Sequence, residues 1–105
     1  MPHWVRIADV GDCPPGASIE AVADERVIAV FNVDGSFFAI DGVCPHQGGP
    51  LGKGVLQGCV VTCPWHGWQF DVRTGQHQLN AKFIHSRYDV RIEGGSLLVD
   101  LETPG

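Results

Sequence analysis

Two short runs hold the residues best suited to chemistry: Cys44-Pro45-His46 and, after sixteen further residues, Cys63-Pro64-Trp65-His66. Each run sits among glycines and prolines that favour turns. Two thiols and two imidazoles satisfy either of two metal groups. One is a tetrahedral zinc; the other is a 2Fe-2S cluster in which one iron takes both thiolates and the second takes both imidazoles. Residue types alone leave both open. The order of the residues favours the cluster: zinc fingers usually pair cysteines in one knuckle and histidines on a helix, whereas here each turn supplies one of each. Two such loops, each giving one ligand to each iron, would grip a binuclear group from both sides. The candidate ligands are therefore Cys44, His46, Cys63 and His66, and the candidate cofactor is one 2Fe-2S cluster per chain.

The elements that must position these turns read as strands. Val5 to Ala8 and Ile19 to Ala23 alternate with period two on either side of a Pro- and Gly-rich break. Val27 to Val33 and Ser36 to Ile40 flank Asp34-Gly35, a strong hairpin signal. From Asp41 to Gly58 the chain carries six glycines and two prolines, which predicts one long loop. Cys59 to Thr62 and Gln69 to Val72 predict a further hairpin closed by a second loop over residues 63–68. Tyr88 to Ile92 and Ser96 to Leu101 flank Glu93-Gly94-Gly95, another hairpin turn. Short strands separated by turns, with no periodic helix, predict an all-β antiparallel sandwich or small barrel. The 105 residues suit a single domain spanning 1–105.

Composition narrows the function further. A formal charge of -5 opposes the electrostatic hold on phosphates that nucleic-acid binding needs. No run approaches the roughly 20 apolar residues that cross a bilayer, so no membrane association is expected, and the expected location is the cytoplasm. In that reducing setting the four cysteines suit metal ligation better than disulfides. Cys59, in a Val-rich strand, and Cys13, in a Pro-rich turn, read as apolar packing residues. His3, His77 and His85 have no partner at ligand spacing. Trp65, Trp68 and Phe70 bracket His66 and suit either plain packing or shielding of the metal group from water.

Through Cys44-Pro45-His46-Gln47-Gly48 and Cys63-Pro64-Trp65-His66-Gly67 the chain resembles the Rieske 2Fe-2S proteins. Phe37 to Asp41 before the first loop, Asp71 to Gly75 after the second, and the closing Tyr88 to Leu101 hairpin extend the likeness to single-domain Rieske ferredoxins. The resemblance implies an antiparallel Rieske fold with the cluster-binding loops at a tip, Cys44 and Cys63 on the inner iron, and His46 and His66 on the outer. It implies a non-enzymatic carrier of single electrons, taking them from a flavin reductase and passing them to a terminal oxygenase or another redox protein. A stable nitrite reductase small subunit is the second possibility implied, and a structural zinc module for protein interactions is the alternative outside the family.

Departures from the pattern are informative. The extra cysteines that cross-link the loops in respiratory Rieske proteins correspond here to Gly49 and Trp65. The serine and tyrosine that hydrogen-bond the sulfurs in those proteins correspond to Trp68 and Phe70. Fewer such bonds disfavour reduction, so the expected potential lies near the low end of the Rieske range, about -150 mV. Residues 80–85 lack the proline-containing segment that covers the cluster in related ferredoxins.

Overall fold

The computed structural model describes residues 3–42, 51–64, 69–75 and 87–102. Three antiparallel sheets are built from ten strands among these residues. The framework is a four-stranded sheet ordered β2-β3-β4-β8. Its strands are β2 (Ser18–Ala23), β3 (Arg26–Val33), β4 (Ser36–Asp41) and β8 (Arg87–Tyr88). One flanking sheet, β1-β10-β9, joins β1 (Trp4–Asp9), β9 (Val90–Glu93) and β10 (Ser96–Asp100). The other is the small sheet β5-β6-β7, from Val55–Gln57, Val60–Thr62 and Gln69–Asp71.

Residue alternation along β3 explains why the framework is covered on both faces. Ala29 and Phe31 enter one core with Ile40, Val61, Cys63, Phe70 and Val72. Ile28 and Val30 enter a second with Ala39, Tyr88, Leu97 and Val99. A strand buried on both faces has no polar side to present, so its sequence Val27-Ile28-Ala29-Val30-Phe31 reads as an unbroken apolar run. Asn32, 3% exposed, is the polar exception and is fully engaged. Its side-chain amide donates to the Cys13 carbonyl at 2.8 Å, and its side-chain oxygen accepts from the Gly35 amide at 2.7 Å.

The expected hairpin at Asp34-Gly35 is present: Val33 faces Ser36, and both turn residues have positive φ, 52° and 93°. That is the turn whose twist suits two antiparallel strands, and Gly35 tolerates it without cost. Asp24-Glu25 makes the same kind of turn between β2 and β3, with φ of 54° and 67°. Nothing in its sequence announced it.

Three expectations are corrected. The segment 41–58 is not one loop: a 3-10 turn occupies Leu51–Lys53 and β5 follows it. The strand expected over Tyr88 to Ile92 breaks at Asp89, where the chain leaves the framework, pairing β8 with β4 and then β9 with β10. The Asp89 carbonyl accepts from the Asp100 amide at 3.0 Å across that break. Cys59 precedes β6 rather than opening it, lying in the two-residue turn between Gln57 and Val60. No helix among the described residues is long and apolar enough to cross a membrane.

Candidate metal centre

The small sheet determines where the two candidate loops begin and end. In β6, the central strand, Thr62 pairs with Val55 of β5 on one side and Gln69 of β7 on the other. The loop 63–68 therefore leaves and re-enters at the same edge to which the preceding segment delivers β5. Both candidate loops are tied to one end of one sheet.

Cys63 is the first residue beyond that edge. It is 2% exposed and belongs to the core with Val61, Phe70 and Val72. A thiol in this position is screened from water and next to a turn, which suits the inner ligand of a metal group. Of the other proposed ligands, Cys44, His46 and His66 lie outside the described residues, as do Trp65, Trp68, His77, and residues 80–85. The fit rests on the donor set, two thiols and two imidazoles, and on the dry setting of Cys63; both agree with a 2Fe-2S cluster ligated in the Rieske manner.

The first loop is anchored by two close backbone approaches that sequence reading did not single out. The Gly42 amide donates to the Val27 carbonyl at 2.9 Å, and a Cβ on Gly42 would lie 2.8 Å from Val27 Cγ1 and 3.2 Å from the Ala29 nitrogen. At the other end, a Cβ on Gly52 would lie 3.0 Å from the Ile19 carbonyl oxygen and 3.1 Å from the Glu20 nitrogen. Ser18 Oγ donates to the Gly52 carbonyl at 2.9 Å. Only glycine lets the chain press this closely onto β3 and β2. The residue type was visible in the sequence, but the approach that demands it depends on distant strands.

The far end of β7 is fixed by Asp71. Its carboxylate accepts from the Arg73 amide at 2.9 Å and from the guanidinium Nε and Nη2 at 3.1 and 2.8 Å. The Arg73 side chain, above all, holds the Asp71 carboxyl below its ordinary range, and Asp71 raises the guanidinium in turn. The Asp71 carbonyl also accepts from the Gly75 amide at 2.7 Å, closing the turn.

The two remaining cysteines behave as packing residues. Cys13 is fully buried, with Sγ 3.5 Å from the Ala17 carbonyl; burial pushes its thiol up, and the hydrogen bond with the Asn32 backbone partly offsets this. Cys59 is half-buried against the same core as Cys63. It lies four residues before Cys63 across the extended β6, about 13 Å away, too far for a disulfide or a shared iron.

A family model described as the Rieske [2Fe-2S] domain matches residues 3–84. The biphenyl dioxygenase ferredoxin subunit of Pseudomonas sp. (strain KKS102) is 37% identical, over 92% of this chain and 91% of that protein. Among solved structures, the ferredoxin of carbazole 1,9a-dioxygenase from Nocardioides aromaticivorans IC177 superposes with a TM-score of 0.84 at 31% identity, covering 94% of this chain and 96% of that one. A putative NADH-dependent nitrite reductase small subunit from Mycobacterium tuberculosis shares the fold, with a TM-score of 0.88 at 20% identity and 99% of each chain covered.

Proposed function

This chain belongs to the Rieske [2Fe-2S] domain family, and from that premise we propose that it is a ferredoxin carrying single electrons from a flavin-containing reductase to the terminal oxygenase of a hydroxylating system. The observation that carries the reading is Cys63: a buried thiol one residue beyond the sheet edge to which both candidate loops are tied. Cys44 and Cys63 would hold one iron, and His46 and His66 the other. When bound, the cluster supplies reversible one-electron transfer.

The chain's own residues do the rest. Val61, Phe70 and Val72 keep water from the Cys63 sulfur. Phe70, fully buried in that core, has no hydroxyl to donate towards a ligand sulfur, which supports a low potential. A histidine that ligates through one ring nitrogen keeps the other for a proton or a partner's acceptor.

The dioxygenase ferredoxin relatives support the carrier role over that of an enzyme in its own right. The likeness to the nitrite reductase subunit is one of fold alone and does not favour the second reading. Residues 1–105 form one domain on this proposal. Pairing of Trp4 in β1 with Asp100 in β10, which stitches the C-terminal hairpin to the N-terminal strand, supports this reading. A cytoplasmic location suits such a carrier, and the charge of -5 suits docking to a basic protein surface rather than to nucleic acid.

Electron paramagnetic resonance of the dithionite-reduced protein, with iron and acid-labile sulfide analysis of the same sample, tests the proposal. A Rieske signal with about two irons per chain is the expected result. A silent sample containing zinc would overturn it. On the same sample, the midpoint potential should fall near -150 mV, and a value above about +100 mV would contradict the role assigned to Phe70.

A further inference from the structure

The stretch of chain that carries Cys44 and His46 is tied to the framework before and after them, by two different kinds of bond. Before them the tie is backbone to backbone: the Gly42 amide donates to the Val27 carbonyl. After them, among the described residues, it is a side chain: Ser18 Oγ donates to the Gly52 carbonyl at 2.9 Å, across 34 positions of sequence. The two ties fall at one level of the framework. A Cβ on Gly42 would lie 3.2 Å from the Ala29 nitrogen, and one on Gly52 would lie 3.1 Å from the Glu20 nitrogen. Glu20 faces Ala29 across the β2-β3 ladder. Residues directly opposite one another in such a ladder have Cα atoms about 5 Å apart, so the framework gathers both ties to one place.

Ser18 is half-buried and opens β2 opposite Phe31, so its side chain shares the face on which Phe31 enters the core with Cys63. A serine hydroxyl often bonds to backbone groups nearby in sequence; this one reaches a distant turn instead. Gly52 is the middle residue of that turn, Leu51–Lys53, and β5 starts at Val55. Val55 pairs with Thr62, the residue before Cys63. The Ser18 bond therefore stands between the two proposed ligand segments, after Cys44 and His46 and just ahead of the strand that registers Thr62. The backbone tie at Gly42 persists under any substitution that keeps its N-H, whereas the tie at Gly52 depends on one hydroxyl.

We propose that Ser18 is a positioning residue of the metal centre: acting through the Gly52 carbonyl, its hydroxyl holds the segment bearing Cys44 and His46 on the framework and so slows loss of the cluster. This role rests on the ligand assignment proposed above.

The rate at which the cluster-loaded protein gives up iron to excess EDTA, followed without denaturant by bleaching of its visible absorption, tests the role. Ser18→Ala should lose iron about fivefold faster, the equivalent of one net hydrogen bond. Ser18→Thr keeps the hydroxyl and should stay within about twofold of wild type. Gly52→Ala, which presses a Cβ onto the Ile19 carbonyl, should speed the loss at least as much as Ser18→Ala. Val99→Ala truncates a fully buried side chain in the opposite core; it should lower the unfolding midpoint and leave the rate of iron loss unchanged. A Ser18→Ala protein that retains no cluster, beside a normally loaded Ser18→Thr, would be the extreme form of the expected result. An unchanged rate in Ser18→Ala, no recovery in Ser18→Thr, or equal acceleration in Val99→Ala would overturn the role and leave the cluster assignment standing. A wild-type protein that holds no iron would overturn that assignment, and this role with it.

Discussion

The two cores share β3 and β4 but are closed by different means. On one face, Ile28, Val30 and Ala39 meet Leu97 and Val99 from β10, a strand of five residues paired on both sides. On the other, Ala29, Phe31 and Ile40 meet Val61 and Phe70 from a sheet whose strands are each three residues long, and Val72 from the turn just beyond it. Strands this short form few ladder hydrogen bonds and gain little stability by themselves. The first core is held by apolar packing under a long ladder. The second includes Cys63; on the proposal that Cys63 ligates the cluster, the integrity of this core would be coupled to metal binding in a way the first is not.

The largest expected effect falls on that coupling. Cys63→Ser should abolish cluster incorporation, read as iron content near background, while far-UV circular dichroism retains the framework's β signal. Loss of both signals together would show that the cores are not separable. The converse change is Leu97→Ala, which removes a fully buried side chain from the opposite face. It should cost about 2–5 kcal/mol in denaturant unfolding. The midpoint potential should stay where it is, and a shifted potential would break the distinction between the faces.

Phe70→Tyr sharpens the comparison from inside the cluster-side core. A hydroxyl donating towards a ligand sulfur should raise the midpoint potential by about 40–60 mV, the one-electron equivalent of one net hydrogen bond. An unchanged potential would mean that Phe70 packs the core without tuning the cluster. The smallest effect concerns the turn after β7. Because the Asp71 carboxyl is held below its ordinary range, it contributes stability above the unfolded value, and that contribution is lost as pH falls through the folded one. Asp71→Asn should cost about 1 kcal/mol or less at neutral pH. Below about pH 4 wild type should lose this advantage, so unfolding curves of the two proteins should converge.

Much of the framework could be read in advance, for identifiable reasons. Asp34-Gly35 flanked by apolar runs is a local signal, and the structure uses it locally. The Asp24-Glu25 turn was missed because its residues lack the usual Asn or Gly, yet pairing of Ala23 with Arg26 holds both at positive φ. Strand β5 was missed because Val55-Leu56-Gln57 is too short for alternation to register. The break at Asp89 was missed because alternation continues through it while the pairing partner changes. The candidate ligands stood out through their types and order, and the structure adds to them the dry setting of Cys63. Gly42 and Gly52 could not be recognised as anchors, since the strands they press against are far away in sequence.

Sharing β3 between both cores sets a limit on transplantation. Cutting out β5 to β7 with their loops would leave Ala29, Phe31 and Ile40 behind, and with them the wall that Val61, Phe70 and Cys63 rest on. The smallest portable unit therefore includes β3 and β4. Their reverse faces would then expose Ile28, Val30 and Ala39, so any host scaffold must supply a second layer to cover them.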